Sequence, residues 1–98
     1  MRTRSDIISL LEQNRKAIKN FGVRELGVFG SFAREEQTAT SDVDVLVDLE
    51  QKTFDSYMDL LFFLEDLFDG KVDLVMKDTI KPAIKNRVLA EAIYVSEL

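Results

Sequence analysis

The hydrophobic positions of the chain follow a helical period in two long stretches. In residues 5–21 the mostly apolar positions recur three or four residues apart, which predicts an amphipathic helix. Ser5 is a suitable N-cap for that helix, and Gly22 can end it in a left-handed conformation. Residues 54–69 place most of their apolar side chains on one stripe and four aspartates on the opposite side, and Gly70 follows as a stop. Each of these helices is therefore expected to pack its apolar face against the core.

The stretches between these helices have the patterns of β-strands. Strands are expected at 23–29, at 42–49, where apolar and acidic residues alternate apart from Leu46, and at 71–76. A last helix over about 81–92 begins with a proline, which suits its first turn, and 93–98 adds a short final strand. This order predicts an α/β (α+β) fold in which all 98 residues form one domain, a small mixed β-sheet with flanking helices.

The composition narrows the chemistry more than the fold. The chain is 46% hydrophobic and 32% charged, has a net charge of −5, and contains neither cysteine nor histidine. Disulfides, thiolate metal sites and histidine bases are excluded, so a metal ion must be bound by oxygen atoms, as Mg²⁺, Mn²⁺ and Ca²⁺ are. No apolar run is long enough to span a bilayer and no signal peptide is evident, so a cytoplasmic location without membrane contact is expected. The acidic balance argues against direct DNA binding.

Four aspartates lie in the predicted strands, where unpaired carboxylates are costly to place. Asp42 and Asp44 are two residues apart, so they project from the same face, about 6.6 Å apart along the strand. Asp73 is the one acidic residue of the third strand. Two neighbouring strands can bring these three carboxylates around one point, where their mutual repulsion favours a divalent cation. Asp48 follows the same alternation further along and is expected to be solvated instead.

A small anion-binding turn is expected just before the acidic strand. Gly30 and Ser31 stand between the first strand and a short helix that opens near Ser31. A glycine–serine step there leaves backbone N–H groups and a hydroxyl available to a phosphate, and the glycine lets the phosphate approach closely. Arg34, one turn further on, is within reach of a phosphate oxygen. The turn and the acidic pair together predict a site for a phosphorylated ligand and its metal ions.

Each of these features, taken singly, has a simpler interpretation. A glycine–serine pair is usually only a turn, and two alternating aspartates usually mark the wet face of an edge strand. Asp73 could likewise be a surface residue without a partner. The functional interpretation depends on all three features falling at strand ends on one side of the same sheet.

The spacing of these residues resembles that of the nucleotidyltransferase superfamily of DNA polymerase β. The motif of that superfamily is Gly-Ser, ten further residues and Asp-x-Asp, which here is Gly30-Ser31, residues 32–41 and Asp42 to Asp44. Asp73 corresponds to the third family carboxylate. The whole chain further resembles the minimal nucleotidyltransferases (MNT), from its first helix to the segment Leu-Ala-Glu-Ala-Ile-Tyr-Val. The resemblance implies a polymerase β-like nucleotidyltransferase fold.

Two positions depart from the family pattern. Where the family usually has Ala-Arg-Gly-Glu after Gly-Ser-x, this chain has Glu35 in place of the glycine. Glycine adopts left-handed backbone angles more easily than glutamate does. The turn can therefore differ, and a further negative charge lies near the phosphate site. Ala39 replaces the proline of the family's Thr-Pro-Thr-Ser-Asp segment, which is expected only to loosen a loop.

The resemblance also implies an activity, the transfer of a nucleoside monophosphate from a nucleoside triphosphate, here ATP, with two Mg²⁺ ions. On this chain the Gly30–Ser31 turn would hold the β and γ phosphates, and Arg34 would offset their charge. Asp42 and Asp44 would bind both ions. Asp73 would complete the site of the catalytic ion and help to deprotonate the incoming hydroxyl.

A protein partner is expected on two grounds. Larger members of the superfamily carry extra domains that hold the acceptor, and this chain has no residues left for one. In the second helix Phe62 falls in the middle of the aspartate face, with Met58 and Phe63 on its flanks. A partner contact is one interpretation of this aromatic, and an exposed side chain without a role is the other.

For MNT proteins the resemblance names the partner as a HEPN-domain protein, often the toxin of a toxin–antitoxin pair. The first interpretation is therefore an antitoxin that adds AMP from ATP to a tyrosine of the HEPN toxin. Two alternatives stay open. One is an antitoxin that masks the toxin by binding alone, which Glu35 would make possible. The other is a small-molecule nucleotidyltransferase that modifies, for example, an aminoglycoside.

Overall fold

The computed structural model describes residues 2–98, whose four strands form one mixed sheet with helices on both faces. The elements in chain order are α1 (Arg4–Gln13), α2 (Arg15–Asn20), β1 (Val23–Phe29), α3 (Gly30–Ala33), β2 (Val43–Leu49), α4 (Phe54–Phe68), β3 (Val72–Met76), a 3₁₀ turn (Lys77–Thr79), α5 (Pro82–Glu91) and β4 (Ile93–Tyr94). The predicted α/β (α+β) architecture is confirmed.

The strand order across the sheet is β3-β2-β1-β4, so β2 and β1 are central and β3 and β4 form the edges. β1 is antiparallel to both β2 and β4, whereas β2 and β3 are parallel. Parallel neighbours need a crossover connection, and α4 supplies it between β2 and β3. Because of this crossover, β2 and β3 both begin at the same end of the sheet.

The first predicted helix is wrong in its start and in its continuity. Thr3, not Ser5, is the N-cap: its hydroxyl accepts a hydrogen bond from the N–H of Asp6 (3.2 Å), and the Asp6 carboxylate accepts one from the N–H of Thr3 (2.9 Å). The helix breaks at Asn14, between α1 and α2. An asparagine side chain competes with the backbone for hydrogen bonds, which disfavours a helix interior. Gly22 is left-handed (φ 80°), as predicted.

The second predicted helix is present, but its stop lies one residue earlier than predicted. α4 ends at Phe68, and Asp69, not Gly70, adopts the left-handed conformation (φ 51°, ψ 49°). Aspartate tolerates this conformation better than most residues do, and the Gly70 N–H then reaches the carbonyl of Glu65 (3.2 Å). Neither α4 nor any other helix in the described part of the chain has the length and apolar character that crossing a membrane requires.

The two faces of the sheet are packed differently. On the core face, the alternate β2 residues Val43, Val45, Val47 and Leu49 are buried beneath α1 and α4. The acidic face is the opposite one and carries Asp44, Leu46 and Asp48 of β2. The apolar–acidic alternation of β2 is interrupted at Leu46, an apolar residue that is fully buried on the acidic face. The reason is α5, which folds over the middle of that face and packs Val88 against Leu46.

Candidate active site

The pairing of the strands brings two of the predicted carboxylates together. In the parallel ladder Asp44 of β2 is the partner of Asp73 of β3, and in the antiparallel ladder Phe29 of β1 is the partner of Asp44. Directly paired residues project from the same face of a sheet. Asp44 and Asp73 therefore stand side by side on the acidic face, where β2 and β3 begin. Asp42 precedes β2 and is exposed.

The environment of Asp44 disfavours the ionised form of its carboxyl group. Burial is the largest cause that raises the pKa of Asp44, to about 6, followed by the charges of Asp73 and Asp42. Arg34 acts in the opposite direction, and Glu91 in the same direction as the aspartates. The raised pKa thus reflects burial first and then a local excess of negative charge, and a bound cation would favour the ionised carboxylate against both.

The predicted convergence of three carboxylates on one point is not reached by the side chains as they stand. Among residues 2–98, no three acidic side chains lie close enough to bind one metal ion together. The backbone register of Asp44 and Asp73 still places two carboxylates on adjacent strands, with Asp42 near enough to raise the pKa of Asp44. These donors are all carboxylate oxygens, which Mg²⁺ prefers. The chemistry of the donor set thus fits Mg²⁺, while the side-chain positions do not surround a common point.

The predicted turn lies directly against Asp44. Gly30 is buried and adopts φ 73°, in the left-handed region that favours glycine. A Cβ atom at this position would overlap the Asp44 carboxylate, whose Cγ would be only 2.9 Å away. Gly30 is therefore required twice, once by its backbone angles and once by this contact. Ser31 follows in α3 and is half-buried.

Arg34 lies where the sequence places it, but its guanidinium already has carboxylate partners. Its Nη1 lies 3.1 Å from both oxygens of Glu91, and its Nε lies 3.3 Å from Oε1 of Glu36. The same Glu91 carboxylate accepts a hydrogen bond from the Gly30 N–H (3.1 Å). Two of the donors predicted for phosphate are thus bound to a side chain of α5.

Sequence reasoning missed Glu91. It is 57 residues from Arg34 and 61 from Gly30, so no local pattern connects them. The one available signal was the charge of Glu91 in the C-terminal segment that resembles the MNT family. The sequence assigns no role to that segment, and only the packing of α5 against the turn shows what Glu91 contacts.

Glu35 adopts the left-handed conformation itself (φ 59°), so the turn has the backbone angle that a glycine would take easily. Its carboxylate forms an ion pair with Arg4 of α1 (2.9 Å). The extra negative charge noted in the sequence is therefore matched by a cation from another helix.

Asp48 lies outside the site. Leu46 separates it from Asp44 on the acidic face, and its cross-strand partner is Glu25 of β1. It is half-buried rather than fully solvated, beside Glu25, which accepts a hydrogen bond from Lys77 (2.7 Å).

An apolar pocket of about 310 Å³ adjoins Asp73, between the edge of the sheet and α5. The sequence carried no signal for it, because its walls come from elements that only the fold brings together. Residues that line the pocket beside Asp73 include Phe29, Val75, Ile80, Ile84 and Val88. A separate hollow of about 360 Å³ lies near the other end of β2, by Glu50 and Asp59.

The fold and this arrangement define a class of enzyme that comparisons with known proteins identify. The chain belongs to the nucleotidyltransferase domain family, whose model matches residues 9–95. Within it, the chain is a minimal nucleotidyltransferase. Protein adenylyltransferase MntA of Thermococcus cleftensis is 44% identical over 97 residues, covering 97% of this chain and 98% of that protein. A solved minimal nucleotidyltransferase is 34% identical, with a TM-score of 0.73 over 88% of this chain and 93% of that one.

Two more distant solved structures share the fold. One is a toxin–antitoxin crystal structure with AMP-PNP, 21% identical, with a TM-score of 0.67 over 99% of this chain and 75% of that one. The other is a tri-AMPylated Shewanella oneidensis HEPN toxin in complex with an MNT antitoxin, 17% identical, with a TM-score of 0.65 over 93% of this chain and 73% of that one. At these identities the likeness shows the fold alone.

Proposed function

We propose that this chain is a Mg²⁺-dependent protein adenylyltransferase that moves AMP from ATP to a tyrosine of a HEPN-domain toxin and acts as its antitoxin. The observation that carries the proposal is the in-register pair of Asp44 and Asp73, with Asp44 in contact with the Gly30 turn. The name of the Thermococcus cleftensis relative supports a protein acceptor, and the Shewanella oneidensis complex supports a HEPN toxin as that protein. A cytoplasmic location, where ATP is available, stays part of the proposal.

Asp42, Asp44 and Asp73 would hold the Mg²⁺ ions, of which the family resemblance implies two. Such ions, when bound, neutralise charge on the phosphates and activate the attacking oxygen. The raised pKa of Asp44 supports this assignment, because after burial its causes are the negative charges of Asp73 and Asp42, an excess that a cation would offset. Arg34, the cation that lowers the pKa of Asp44, is itself paired with Glu91 and Glu36 and cannot remove that excess.

In the proposed reaction the acceptor oxygen attacks the α-phosphorus of ATP. The bond from that phosphorus to the bridging oxygen breaks, and pyrophosphate leaves with the bonding electrons. Asp73 accepts the proton of the acceptor hydroxyl. Its position favours this role, because it is exposed on the edge strand β3, where an acceptor carried by another molecule can reach it. The apolar pocket beside Asp73 offers space for the acceptor side chain.

The decisive experiment combines this protein, Mg²⁺, ATP labelled at the α-phosphate, and a purified HEPN-domain protein encoded beside its gene. We expect label bound covalently to the partner, and none when the label is on the γ-phosphate, when EDTA is present, or when the acceptor tyrosine is replaced by phenylalanine. A stable complex without label would assign the chain to the masking alternative. Label only on an added small hydroxyl compound would assign it to the small-molecule alternative.

One observation favours the masking alternative. The Gly30 N–H and Nη1 of Arg34 are both bound to Glu91, so two of the N–H groups expected to bind phosphate are occupied in the structure. Glu35, which first suggested this alternative, no longer supports it, because its left-handed turn and its ion pair with Arg4 accommodate it. The labelling experiment separates the two functions.

The partner surface that we propose is the outer side of α4. Phe62 is 60% exposed, and Phe54, which sequence reasoning missed, is 75% exposed. Met58 lies between them at helical spacing and completes a stripe of three apolar side chains. Phe63 packs partly against the core instead, and its ring centroid lies 5.1 Å from that of Phe21.

The location of this stripe has a consequence for the complex. α4 packs on the core face of the sheet, whereas Asp44 and Asp73 project from the acidic face. A partner held at Phe62 therefore binds on the opposite side of the sheet from the site. We expect Phe62→Ser to weaken binding of the HEPN partner at least fivefold in calorimetry, with unchanged ATP binding and an unchanged melting temperature. Unchanged partner affinity would mean that Phe62 has no role in the interface.

A further inference from the structure

Glu91 occupies a position that the proposed reaction has not yet explained. It is the last residue of α5, and its carboxylate bonds to two separate parts of the phosphate turn. One bond comes from the Gly30 N–H and two come from Nη1 of Arg34, all at 3.1 Å. Glu91 thereby connects the C-terminal end of α5 to both ends of α3.

The exposed fractions of the side chains indicate that Glu91 fixes the position of Arg34, and not the reverse. The Glu91 side chain is 18% exposed, whereas that of Arg34 is 46% exposed and that of Glu36, its other partner, is 61% exposed. An exposed arginine loses rotamer freedom when it is fixed in one position. A carboxylate that is itself packed into the fold can fix it, and the exposed Glu36 is a much weaker anchor.

The charges near the site give the contact a second effect. Arg34 is close enough to Asp44 to lower its pKa, but no ion pair forms between them in the described chain, whose Arg34 pairs are with Glu91 and Glu36. The hydrogen bond to Glu91 is the largest cause that raises the pKa of Arg34 above its usual range. Glu91 thus keeps the guanidinium beside the turn, where it is available to phosphate rather than bound to the metal-binding carboxylates.

We propose that Glu91 is a positioning residue for nucleotide binding: it fixes the Arg34 guanidinium and the Gly30 turn in the arrangement that receives the triphosphate. This inference rests on the proposed function, and it refines it. The Gly30 N–H stays with Glu91, so the donors left for the β and γ phosphates are Ser31 and those of the five guanidinium N–H groups of Arg34 that Glu91 and Glu36 do not bind. Gly30 serves the site through its left-handed turn and its contact with Asp44.

The test measures the Kd of a non-hydrolysable ATP analogue with Mg²⁺, and the KM for ATP, for the full chain and its Glu91→Gln variant. Glutamine keeps an acceptor for the Gly30 N–H but loses the charge that holds Arg34. We expect Kd and KM to rise about tenfold, with kcat changed much less. Glu36→Gln is the matched control, since it removes the exposed partner of the same arginine, and a change below twofold is expected.

A double-mutant cycle separates positioning from a structural role. In an Arg34→Met background, Glu91→Gln should raise Kd by less than a further twofold, because Glu91 acts through Arg34. Glu91→Asp, which keeps the charge on a shorter side chain, should give an intermediate Kd and serves if the glutamine variant folds poorly. Unchanged or tighter binding by Glu91→Gln, or penalties that multiply in the double variant, would overturn the proposal.

The binding assay also distinguishes this inference from the proposed function. A wild-type chain that binds the analogue but transfers no label would refute the transfer reaction and leave the role of Glu91 in nucleotide binding intact. A wild-type chain that binds no analogue would overturn both.

Discussion

The two faces of the sheet are formed by the same strands but differ in burial and in charge. On the core face the alternate residues of β2 are buried against α1 and α4, and the whole cluster is apolar. On the acidic face, α5 covers Leu46 in the middle, while Asp44 and Asp73 stay at the end where both strands begin. The core face is built for burial, whereas the end of the acidic face left uncovered gathers groups that repel one another.

This difference shows how 98 residues provide both stability and chemistry. Burial of apolar area on the core face stabilises the fold by about 25 cal/mol per Å². That stability offsets the cost of a half-buried carboxylate whose pKa is raised to about 6. Substitutions on the two faces should therefore have opposite profiles of activity and stability.

The largest expected effect is the loss of transfer on the acidic face. Asp73→Asn removes the proposed proton acceptor, which is also a proposed metal ligand, so AMP transfer to the partner should fall about 10³-fold or more. The variant should stay folded, because Asp73 is exposed. Asp48→Asn on the same face, outside the site, is the matched control and should retain activity within twofold. Unfolding of Asp73→Asn would indicate a structural role instead.

A substitution on the core face should lower the stability of the fold and leave ligand binding by the folded protein unchanged. Leu64 of α4 is fully buried, so Leu64→Ala should lower the free energy of unfolding by about 3 kcal/mol in urea titrations. In the folded protein, the Kd of the ATP analogue should be unchanged. Ile84→Ala, at a 40% exposed position of α5, is the comparison and should cost less than about 1 kcal/mol. Equal costs at both positions would contradict the distinction between the faces.

Asp44→Asn should stabilise the metal-free protein. The folded pKa of about 6 exceeds the ordinary value of 3.8, so the folded state holds the proton more tightly, and stability is lost as pH rises through 6. The shift sets an upper limit of about 3 kcal/mol, which solvent screening reduces to about 1 kcal/mol at pH 8.

Urea titrations of this variant in EDTA at pH 8 and pH 5 check the sign. The gain over the wild type should be largest at pH 8 and about half as large at pH 5, because the unfolded carboxyl, with its ordinary pKa of 3.8, is already ionised at pH 5. Added Mg²⁺ should stabilise the wild type more than the variant. A variant less stable than the wild type at pH 8 would show that Asp44 makes contacts whose loss outweighs the repulsion.

The smallest expected effect concerns the turn beside the site. Glu35→Gly relieves a left-handed residue but removes the ion pair with Arg4, for a net gain of about 0.5 kcal/mol in thermal unfolding. Transfer activity should stay within twofold. Glu35→Gln, which removes only the charge, should instead lose a few tenths of a kcal/mol. A gain from the glutamine variant would mean that the ion pair with Arg4 does not stabilise the turn.

Local patterns predicted most of the fold, because burial on one face leaves a period that can be read directly. β1 has the predicted bounds and α4 and α5 lie close to theirs, whereas β4 covers only two of the six residues predicted for it. The errors fall where a local cue was ambiguous. Thr3 and Ser5 are both suitable caps, and an aspartate before a glycine can take the left-handed angle in its place.

By itself, the sequence determined the strands, the main helices, the family, and the residues from which the site is proposed, because each depends on spacing within a few tens of residues. Only the tertiary structure decided that Leu46 is buried among acidic neighbours, that a pocket adjoins Asp73, and that Glu91 holds Arg34. These features arise where α5 folds back over strands far away in the chain. Contacts across 57 or 61 residues leave no period in the sequence, so only the folded chain reveals them.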